Sequence, residues 1–340
     1  MSPPAARALS DEARALHATA VVCDLHCDLL LPTKFFGWDW RKRHPPNPLF
    51  GAPLFGHCDL PRLKEGGVSA MALGVVINPL RRASGPGAIQ ADLDRMARQA
   101  ARSPDDLVVC GTVQAIRTAK AQGRIACFAG LEGAHGLNGS LADLERFRAN
   151  GLRYVGLAHF TANQACRPMV GWGADNAAPL SDYGRALVDT CGALGILVDL
   201  AHAGAAAVRE ATARARAPMI LSHTACTAVH PSPRGVDDAL LRAVADTDGV
   251  VGVIFVTPFI GRGGVEQVVR HLDHIRRTVG VRHAAIGTDW EGFALYPSDL
   301  DSAEKLPILT QALLDAGWPP ADVHAVLGEN FLRVFGAVCG

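Results

Sequence analysis

The sequence predicts a (β/α)₈ barrel, an α/β fold of the TIM-barrel type, and its hydropathy pattern carries that prediction. Eight short, almost continuously apolar runs are spread through the 340 residues, and amphipathic stretches lie between them. Such runs are typical of parallel strands that are buried on both faces. Strands that alternate with helices then favour a closed parallel barrel. An open doubly wound sheet is the alternative, but no Gly-x-Gly-x-x-Gly motif follows the first run.

The predicted elements alternate along the chain. Strands are expected at 21–28, 68–76, 125–133, 154–160, 196–202, 218–224, 249–256 and 284–290. Helices are expected at 89–102, 140–150, 181–195, 205–216, 236–247 and 265–280. Ser140 with Asp143 and Ser181 with Gly195 supply helix start and stop signals. We predict a single domain over 1–340, with C-terminal helices at about 305–338 that close the barrel bottom or form an interface.

One long connection departs from the regular pattern. The segment 31–65 is rich in proline, tryptophan and phenylalanine and is too long for a simple strand-to-helix turn. It is either an active-site loop over the mouth of the barrel or an irregular excursion on the surface.

The charge and composition of the chain indicate which kinds of molecule it binds. The chain has 33 basic and 33 acidic residues, so it offers no basic field for nucleic acid or an anionic membrane. We therefore expect small-molecule partners. Nine scattered cysteines without Cys-x-x-Cys spacing indicate reduced thiols. No secretory h-region or membrane-length apolar run is present, which favours a cytoplasmic location.

Polar residues recur where the predicted strands end, and active sites of parallel barrels gather at the carboxyl ends of strands. One polar residue at a strand end is common, whereas seven at the same end of six strands indicate a site. The seven residues are His26, Asp28, Glu132, His159, His202, His223 and Asp289.

Imidazoles and carboxylates together are suitable ligands for a Zn²⁺-like ion. His26 and Asp28 are two residues apart and share one face of the first strand, although a satisfied buried pair is the alternative interpretation. Burying several such groups without compensation is costly, and one or two divalent cations would offset the cost. With Glu132, His202 and His223 there are five ligands, which fit two ions if Glu132 bridges them.

Four further residues are candidates for chemistry or support. His159 and Asp289 are left over once the metal ligands are assigned. Arg234 follows the sixth strand and is either a solvated loop arginine or a clamp for a substrate carboxylate. His135 either supports the site or is a simple loop residue, and His271 and His274, on an amphipathic helix, are expected to face solvent.

Several stretches resemble the membrane (renal-type) dipeptidases, metallopeptidase family M19. They run in order from about residue 20 to 336 and are "DLHCDLL", "LEGAHGLNGSLADLERFRANGLRYVGLAH", "LGILVDLAHAG", "APMILSHTACTAVHPSPRGVDD", "IGTDWEG" and "GENFLRVF". The sequence departs from the family at Leu25 and Cys27, where the family usually has glycine and asparagine. Both flank the predicted ligands, so metal binding is expected to survive.

The resemblance implies a barrel with two Zn²⁺ per chain. His26, Asp28 and Glu132 would hold one ion, and Glu132, His202 and His223 the other. Members of the family hydrolyse dipeptides, often with a D-residue at the carboxyl-terminal position, and are frequently homodimers.

The same resemblance assigns catalytic roles to the remaining residues. His159 would contact the substrate and polarise the scissile carbonyl, and Arg234 would bind the substrate carboxylate or the oxyanion. Asp289 would be the acid/base group. We predict a metal-dependent dipeptidase that uses a hydroxide bridging two zinc ions. The alternatives are a lactonase or N-acyl amino acid hydrolase on the same barrel, and a non-catalytic ligand-binding barrel.

Overall fold

The computed structural model describes residues 7–45, 47–49, 52–78 and 85–340, and the structural statements below concern these residues. Eight strands form its central sheet. They are β1 (Val22–Cys27), β2 (Val68–Val76), β3 (Ile125–Glu132), β4 (Leu152–Gly156), β5 (Leu197–Asp199), β6 (Ile220–Cys226), β7 (Val250–Val253) and β8 (Ala284–Ile286).

Neighbouring strands pair in chain order from β1 to β8, and every one of these pairings is parallel. Backbone hydrogen bonds join the end of β1 to the segment after β8, with Asp28 N donating to Trp290 O at 2.7 Å and Asp289 N donating to His26 O at 2.9 Å. These bonds bring the two edges of the sheet together. The predicted (β/α)₈ barrel is confirmed.

Asp24 helps to close the same seam. Its carboxylate accepts hydrogen bonds from Thr288 N at 2.8 Å and Thr288 Oγ1 at 2.6 Å, and from His26 N at 3.2 Å. The register of β1 against β2 shifts between Asp24 and Cys27. A shift of this kind re-aims side chains. Leu25 and the neighbouring His26 both face the interior of the barrel, where Leu25 packs among apolar side chains and His26 contacts Tyr154. Cys27 packs instead between the strands and the outer helices.

Helices and shorter elements surround the barrel. The α-helices are Asp11–Thr19, Leu30–Phe36, Leu60–Glu65, Gly85–Arg102, Val113–Ala121, Leu144–Ala149, Asp182–Leu194, Ala205–Arg214, Asp238–Asp246, Thr257–Ile260, Val265–Val279, Leu306–Asp315, Pro320–His324 and Asn330–Cys339, the last two joined by a π-helical turn, Ala325–Glu329. Short 3₁₀ turns are Ala134–Leu137, Val281–His283 and Ala303–Lys305. Short strands Leu107–Val109 and Gly235–Val236 add to β3 and β6.

One of the two predicted helix starts, Ser181, is confirmed, and the other, Ser140, is not. Ser181 Oγ accepts a hydrogen bond from Gly184 N, and Gly195 ends that helix at a φ of +65°, as predicted. Ser140 does not start a helix, because the chain first forms a turn and the helix begins at Leu144.

Two apolar clusters hold the fold together. The larger one lies between the strands and the outer helices. The smaller one joins inward-facing strand residues to the last helix, where Phe335 packs against Phe128 with ring centroids 4.9 Å apart and Phe331 lies beside both. The last helix therefore packs against the inner side chains of the barrel strands.

The segment 31–65 is more regular than predicted. Besides the helices Leu30–Phe36 and Leu60–Glu65, it holds an antiparallel pair of strands, Asn47–Leu49 and Ala52–Phe55. Residues 46, 50 and 51 of this segment lie outside the described residues. Leu54 lines the cavity at the barrel mouth, so this segment builds part of the site and is not only a surface excursion.

All nine cysteines are buried and carry free thiols. Among the helices of the described ranges, none combines the length and the hydropathy needed to cross a membrane.

Candidate active site

Four imidazoles surround one carboxylate at the mouth of the barrel. Glu132 is the last residue of β3, and its Oε1 lies 3.0 Å from His202 Nε2, 3.4 Å from His159 Nε2, 3.5 Å from His223 Nε2 and 3.7 Å from His26 Nε2. These side chains come from five parts of the chain that are far apart in sequence. The barrel brings them together because the carboxyl ends of parallel strands meet at one rim.

The residues that follow the first and last strands add two further carboxylates. His26 Nε2 lies 3.4 Å from Asp28 Oδ1 and 3.9 Å from Asp289 Oδ1. Five of the seven predicted residues are almost completely buried, whereas His159 and Asp289 are 18% and 15% exposed at their side chains. The two more accessible residues are the ones left for chemistry in the sequence analysis.

Ligand atoms close enough to share one cation fall into three overlapping groups, in each of which the atoms lie within 4.8 Å of one another. The groups are His26, Glu132 and His223; Glu132, His159 and His202; and His26, Asp28 and Asp289. Glu132 and His26 each belong to two groups, and of the two only the carboxylate of Glu132 has two oxygens with which to bridge a pair of ions. The groups also include His159 and Asp289, so the geometry does not divide the ligands into the two predicted sets.

Unpaired atoms test whether this set fits metal ions. His26 Nε2, Asp28 Oδ1 and Glu132 Oε2 are buried and have no hydrogen-bond partner within the described part of the chain. Buried polar atoms without partners are costly, and carboxylate oxygen with imidazole nitrogen is the donor set that zinc accepts. The residues present therefore fit divalent cations.

A buried tyrosine orients His26. Tyr154 on β4 donates from its hydroxyl to Leu25 O at 3.2 Å, and its oxygen lies 2.8 Å from His26 Nδ1. The hydroxyl thus accepts from the Nδ1–H of His26, which leaves Nε2 as the nitrogen that faces the carboxylates. Partners of this kind fix the tautomer of metal-ligating histidines.

A serine and an aspartate orient His223 in the same manner. Ser222 Oγ donates to Asp199 Oδ2 at 2.6 Å and lies 2.8 Å from His223 Nδ1. With its own hydrogen committed to Asp199, Ser222 accepts from Nδ1–H of His223. The sequence analysis missed Tyr154, Asp199 and Ser222, which lie inside apolar strands and showed only as polar interruptions.

Charge and burial set the protonation states of the site before any cation binds. Burial raises the pKa of Glu132 well above its ordinary value, and it lowers the pKa values of His202 and His223 well below theirs. Burial also lowers the pKa of His26, but Glu132 and Asp28 outweigh it and raise this pKa to about 10. His26 thus differs from His202 and His223, because the carboxylates close to its imidazole outweigh the effect of burial on its pKa.

Two glycines make room for the site. A Cβ added to Gly74 on β2 would lie 2.1 Å from Asp28 Oδ1, and a Cβ added to Gly130 on β3 would lie 1.8 Å from the ring of Tyr154. Glycine inside a strand often marks such a close approach. Both glycines interrupt apolar runs of the sequence, so they are the sequence signal for this close packing.

Left-handed backbone conformations are concentrated at the rim. His202 has a φ of +65°, and Asp289, Glu291 and Phe293 have φ values of +61°, +68° and +58°. Such values are uncommon for residues other than glycine and are found at functional sites. The segment after β8 therefore presents alternate side chains in an unusual, fixed arrangement.

Glu291 anchors the 52–58 region to this segment. It is fully buried, and its carboxylate accepts hydrogen bonds from the backbone N–H groups of Gly56 at 3.1 Å, His57 at 2.7 Å and Cys58 at 2.6 Å. Leu54, just before the anchored residues, lines the cavity. Glu291 thereby fixes the position of a cavity wall relative to Asp289, and the sequence analysis missed it.

Arg234 is buried rather than solvated. It is 1% exposed, its Nη2 donates to His223 O at 3.2 Å, and its guanidinium carbon lies 6.0 Å from the centroid of the Phe259 ring. Among the described residues no carboxylate oxygen lies within 4.0 Å of this guanidinium. A cation that lines a cavity without a close carboxylate is suited to an anionic group of a ligand.

The site opens into a cavity of about 490 Å³. Its lining comprises Asp28, Leu54, Glu132, His159, Phe160, His202, Arg234, Val256, Pro258, Phe259, Asp289, Gly292, Phe293, Ala294 and Leu295. A volume of this order suits a small molecule.

The remaining histidines have structural contacts. His135 Nε2 lies 2.8 Å from Ile77 O. The prediction that His271 faces solvent is wrong, because this residue is fully buried and its Nδ1 accepts from Cys226 N at 3.0 Å. The prediction treated His271 as a polar residue of the solvent-facing side, whereas it lies on the buried side of the helix Val265–Val279. His274 is partly buried and lies 2.7 Å from Asp238 Oδ1.

Comparison with known proteins identifies the family. The sequence profile of peptidase family M19, described as membrane dipeptidase, matches residues 10–339. The chain belongs to this family.

Relatives of known name agree with membership of the M19 family. Dipeptidase aclJ of Aspergillus oryzae is 31% identical, and the match covers 88% of this chain and 75% of that protein. A crystal structure of a family M19 metallopeptidase, dipeptidase AC, has a TM-score of 0.85 and 26% identity, and the match covers 95% of this chain and 99% of that one.

A third relative shares the fold at lower identity. It is a metallopeptidase of Rhodobacter sphaeroides, crystallised with a phosphinate mimic of the dipeptide L-Ala-D-Ala, with a TM-score of 0.83 and 24% identity. The match covers 94% of this chain and 99% of that one.

Membership of the M19 family settles the broad class. This chain is an enzyme of the metallopeptidase type, which confirms the prediction of an enzyme over that of a non-catalytic barrel.

Proposed function

We propose that this M19 protein is a binuclear zinc dipeptidase whose substrates include dipeptides with a D-residue at the carboxyl-terminal position. One observation carries the metal part of the proposal: four imidazole nitrogens lie within 3.0–3.7 Å of a single oxygen of Glu132. A buried carboxylate among so many imidazoles is suited to bridge two cations. The dipeptidase relatives support the choice of substrate.

The ligands are assigned to two ions. His26, Asp28 and Glu132 would hold the first, and Glu132, His202 and His223 would hold the second. When bound, a pair of zinc ions makes a water more acidic and polarises the carbonyl of the scissile bond. Burial keeps His202 and His223 neutral, as ligands must be, since it lowers their pKa values.

Arg234 and His159 bind and orient the substrate. The buried guanidinium of Arg234 receives the carboxylate of the dipeptide, because it faces the cavity and has no close carboxylate partner among the described residues. Burial lowers the pKa of His159 to about 3, so this imidazole is neutral and donates a hydrogen bond from its N–H. Donated to the carbonyl oxygen, that bond stabilises the charge that develops there.

Asp289 moves the proton. Its carboxylate faces the cavity, and burial together with Asp28 raises its pKa to about 7 in the metal-free site. Asp289 accepts a proton from the attacking water and delivers it to the amine that leaves. A carboxylate placed within reach of both the water and the leaving amine can act first as base and then as acid.

A substrate panel tests the reaction class. The zinc-loaded protein is offered L,L- and L,D-dipeptides, N-acyl amino acids and lactones, and release of product is measured for each. We expect hydrolysis of dipeptides that is abolished by a chelator and restored by zinc. Faster turnover of N-acyl amino acids or lactones than of every dipeptide would overturn the proposal and favour the alternative amide- or ester-cleaving functions.

A pair of variants tests the assigned roles. Asp289→Asn should keep both ions and lose turnover by about 10²-fold or more, because proton transfer is lost. Glu132→Ala should lose metal, as measured by metal analysis after dialysis. Full activity of the first variant, or two retained ions in the second, would contradict the assignment.

A further inference from the structure

The cavity has two chemically different sides. Its floor holds the polar residues Asp28, Glu132, His159, His202, Arg234 and Asp289. The other described residues of the lining form what we call the apolar wall: Leu54, Phe160, Val256, Pro258, Phe259, Phe293, Ala294 and Leu295, with Gly292 between them. None of the described wall residues offers a side-chain charge or hydrogen bond to a ligand.

Large side chains of the apolar wall are exposed in the absence of a ligand. Phe160 is 41% exposed, Phe293 is 43% exposed and Leu295 is 44% exposed. Single exposed apolar residues are ordinary, but these three converge on one cavity that also holds the polar site. Covering such surface is favourable by about 25 cal/mol per Å².

Phe293 is held in place rather than loosely exposed. Its ring packs against Phe55 with centroids 4.3 Å apart and against Phe35 at 6.2 Å, and its backbone has a φ of +58°. A bulky residue rarely adopts this conformation, and strain of this kind persists where the surrounding structure imposes it. Phe293 is therefore held in a fixed position within the wall.

The apolar wall adjoins the groove where the ends of the substrate lie. Phe259 packs beside Arg234, which receives the substrate carboxylate, and Phe293 follows Asp289 by four residues. Side chains of a dipeptide held between Arg234 and Asp289 would thus meet apolar surface and no hydrogen-bonding partner from the described wall. A polar side chain there would lose water without compensation.

We propose that the preferred substrates are dipeptides with large apolar side chains, and that those with polar or charged side chains are poor substrates. This inference rests on the proposed dipeptidase function and adds the substrate class to it. Discrimination by apolar pockets is moderate, on the order of 10- to 200-fold for small differences in side-chain structure.

The experiment compares Leu-Leu with Asn-Asn, whose side chains have similar size and different polarity, and includes Ala-Ala as a small reference. The zinc-loaded protein should cleave Leu-Leu with a kcat/KM at least about tenfold above that for Asn-Asn. Equal kcat/KM values for the three dipeptides would overturn the substrate class and leave the dipeptidase function standing. Failure to cleave any dipeptide, with turnover of N-acyl amino acids, would overturn the function itself.

Two variants of the apolar wall test whether this wall causes the preference for apolar dipeptides. Phe293→Asn suits the left-handed backbone, since asparagine tolerates positive φ, and Leu295→Asn changes an exposed side chain. Each should reduce the Leu-Leu to Asn-Asn ratio several-fold. Trp172→Asn is the matched control, because Trp172 is 76% exposed and does not line the cavity. An unchanged ratio in two folded wall variants, or an equal fall in the control, would refute the role of the wall.

Discussion

Gly74→Ala should damage the metal site through one added methyl group. The new carbon would lie 2.1 Å from Asp28 Oδ1 and 3.0 Å from His26 Cε1, whereas contacts under 3.0 Å are essentially never seen. The carboxylate or the strand must therefore move by about 0.9 Å, several times the ~0.2 Å tolerance of a metal–ligand distance. Disturbing the groups that position metal ligands typically lowers metal affinity by about 10- to 100-fold, which corresponds to about 1–3 kcal/mol of binding free energy.

The assay is competition for zinc between the protein and a chromophoric chelator. Gly74→Ala should bind zinc about 10- to 100-fold more weakly than the parent protein and lose turnover with it. Gly192→Ala is the control, because this glycine lies in the helix Asp182–Leu194 and a Cβ there would meet no atom within 4 Å. It should keep zinc affinity and gain slight stability. Wild-type zinc affinity in Gly74→Ala would refute the steric reasoning.

Three further outcomes are expected. Tyr154→Phe removes the hydrogen-bond partner of His26 Nδ1. This variant should lower the free energy of unfolding, measured by urea titration, by about 1–3 kcal/mol and should also weaken zinc binding. If the free energy of unfolding and the zinc affinity are both unchanged, Tyr154 does not orient His26. Glu291→Gln places an amide against three backbone N–H groups, so limited proteolysis near residues 52–58 should become faster; an unchanged cleavage rate would argue against the anchor. Because the pKa of His26 is raised to about 10 in the metal-free site and zinc needs the neutral imidazole, zinc binding at pH 7 should release a proton and weaken as pH falls. Calorimetry in buffers of different ionisation enthalpy measures that release, and its absence would show that His26 is already neutral.

Local patterns were enough to predict the barrel. The strand at 68–76 was predicted with the observed bounds, while 284–290 proved to be a short strand, Ala284–Ile286, followed by the strained segment that carries Asp289. Apolar periodicity identifies buried strands but does not show where backbone pairing stops. The predicted strand ends were therefore one to four residues too long in several cases.

The sequence by itself determined which residues could gather at the rim. Alternating strands and helices make a parallel barrel, and a parallel barrel places all carboxyl ends of its strands on one side, so His26, Glu132 and His223 had to meet. This follows from spacing along the chain alone, because strand direction is set by the helix that connects each pair.

Only the tertiary structure decided how that rim is supported and shaped. Tyr154 reaches His26 across 128 positions of sequence, Gly74 leaves space for Asp28, and Glu291 ties a distant segment to the residues that follow the last strand. The tertiary structure also places His271 in the core, where its ring nitrogens contact the backbone N–H of Cys226 and the backbone carbonyl of Ile260. These contacts depend on which residues from remote elements become neighbours, and periodicity carries no information about such pairs.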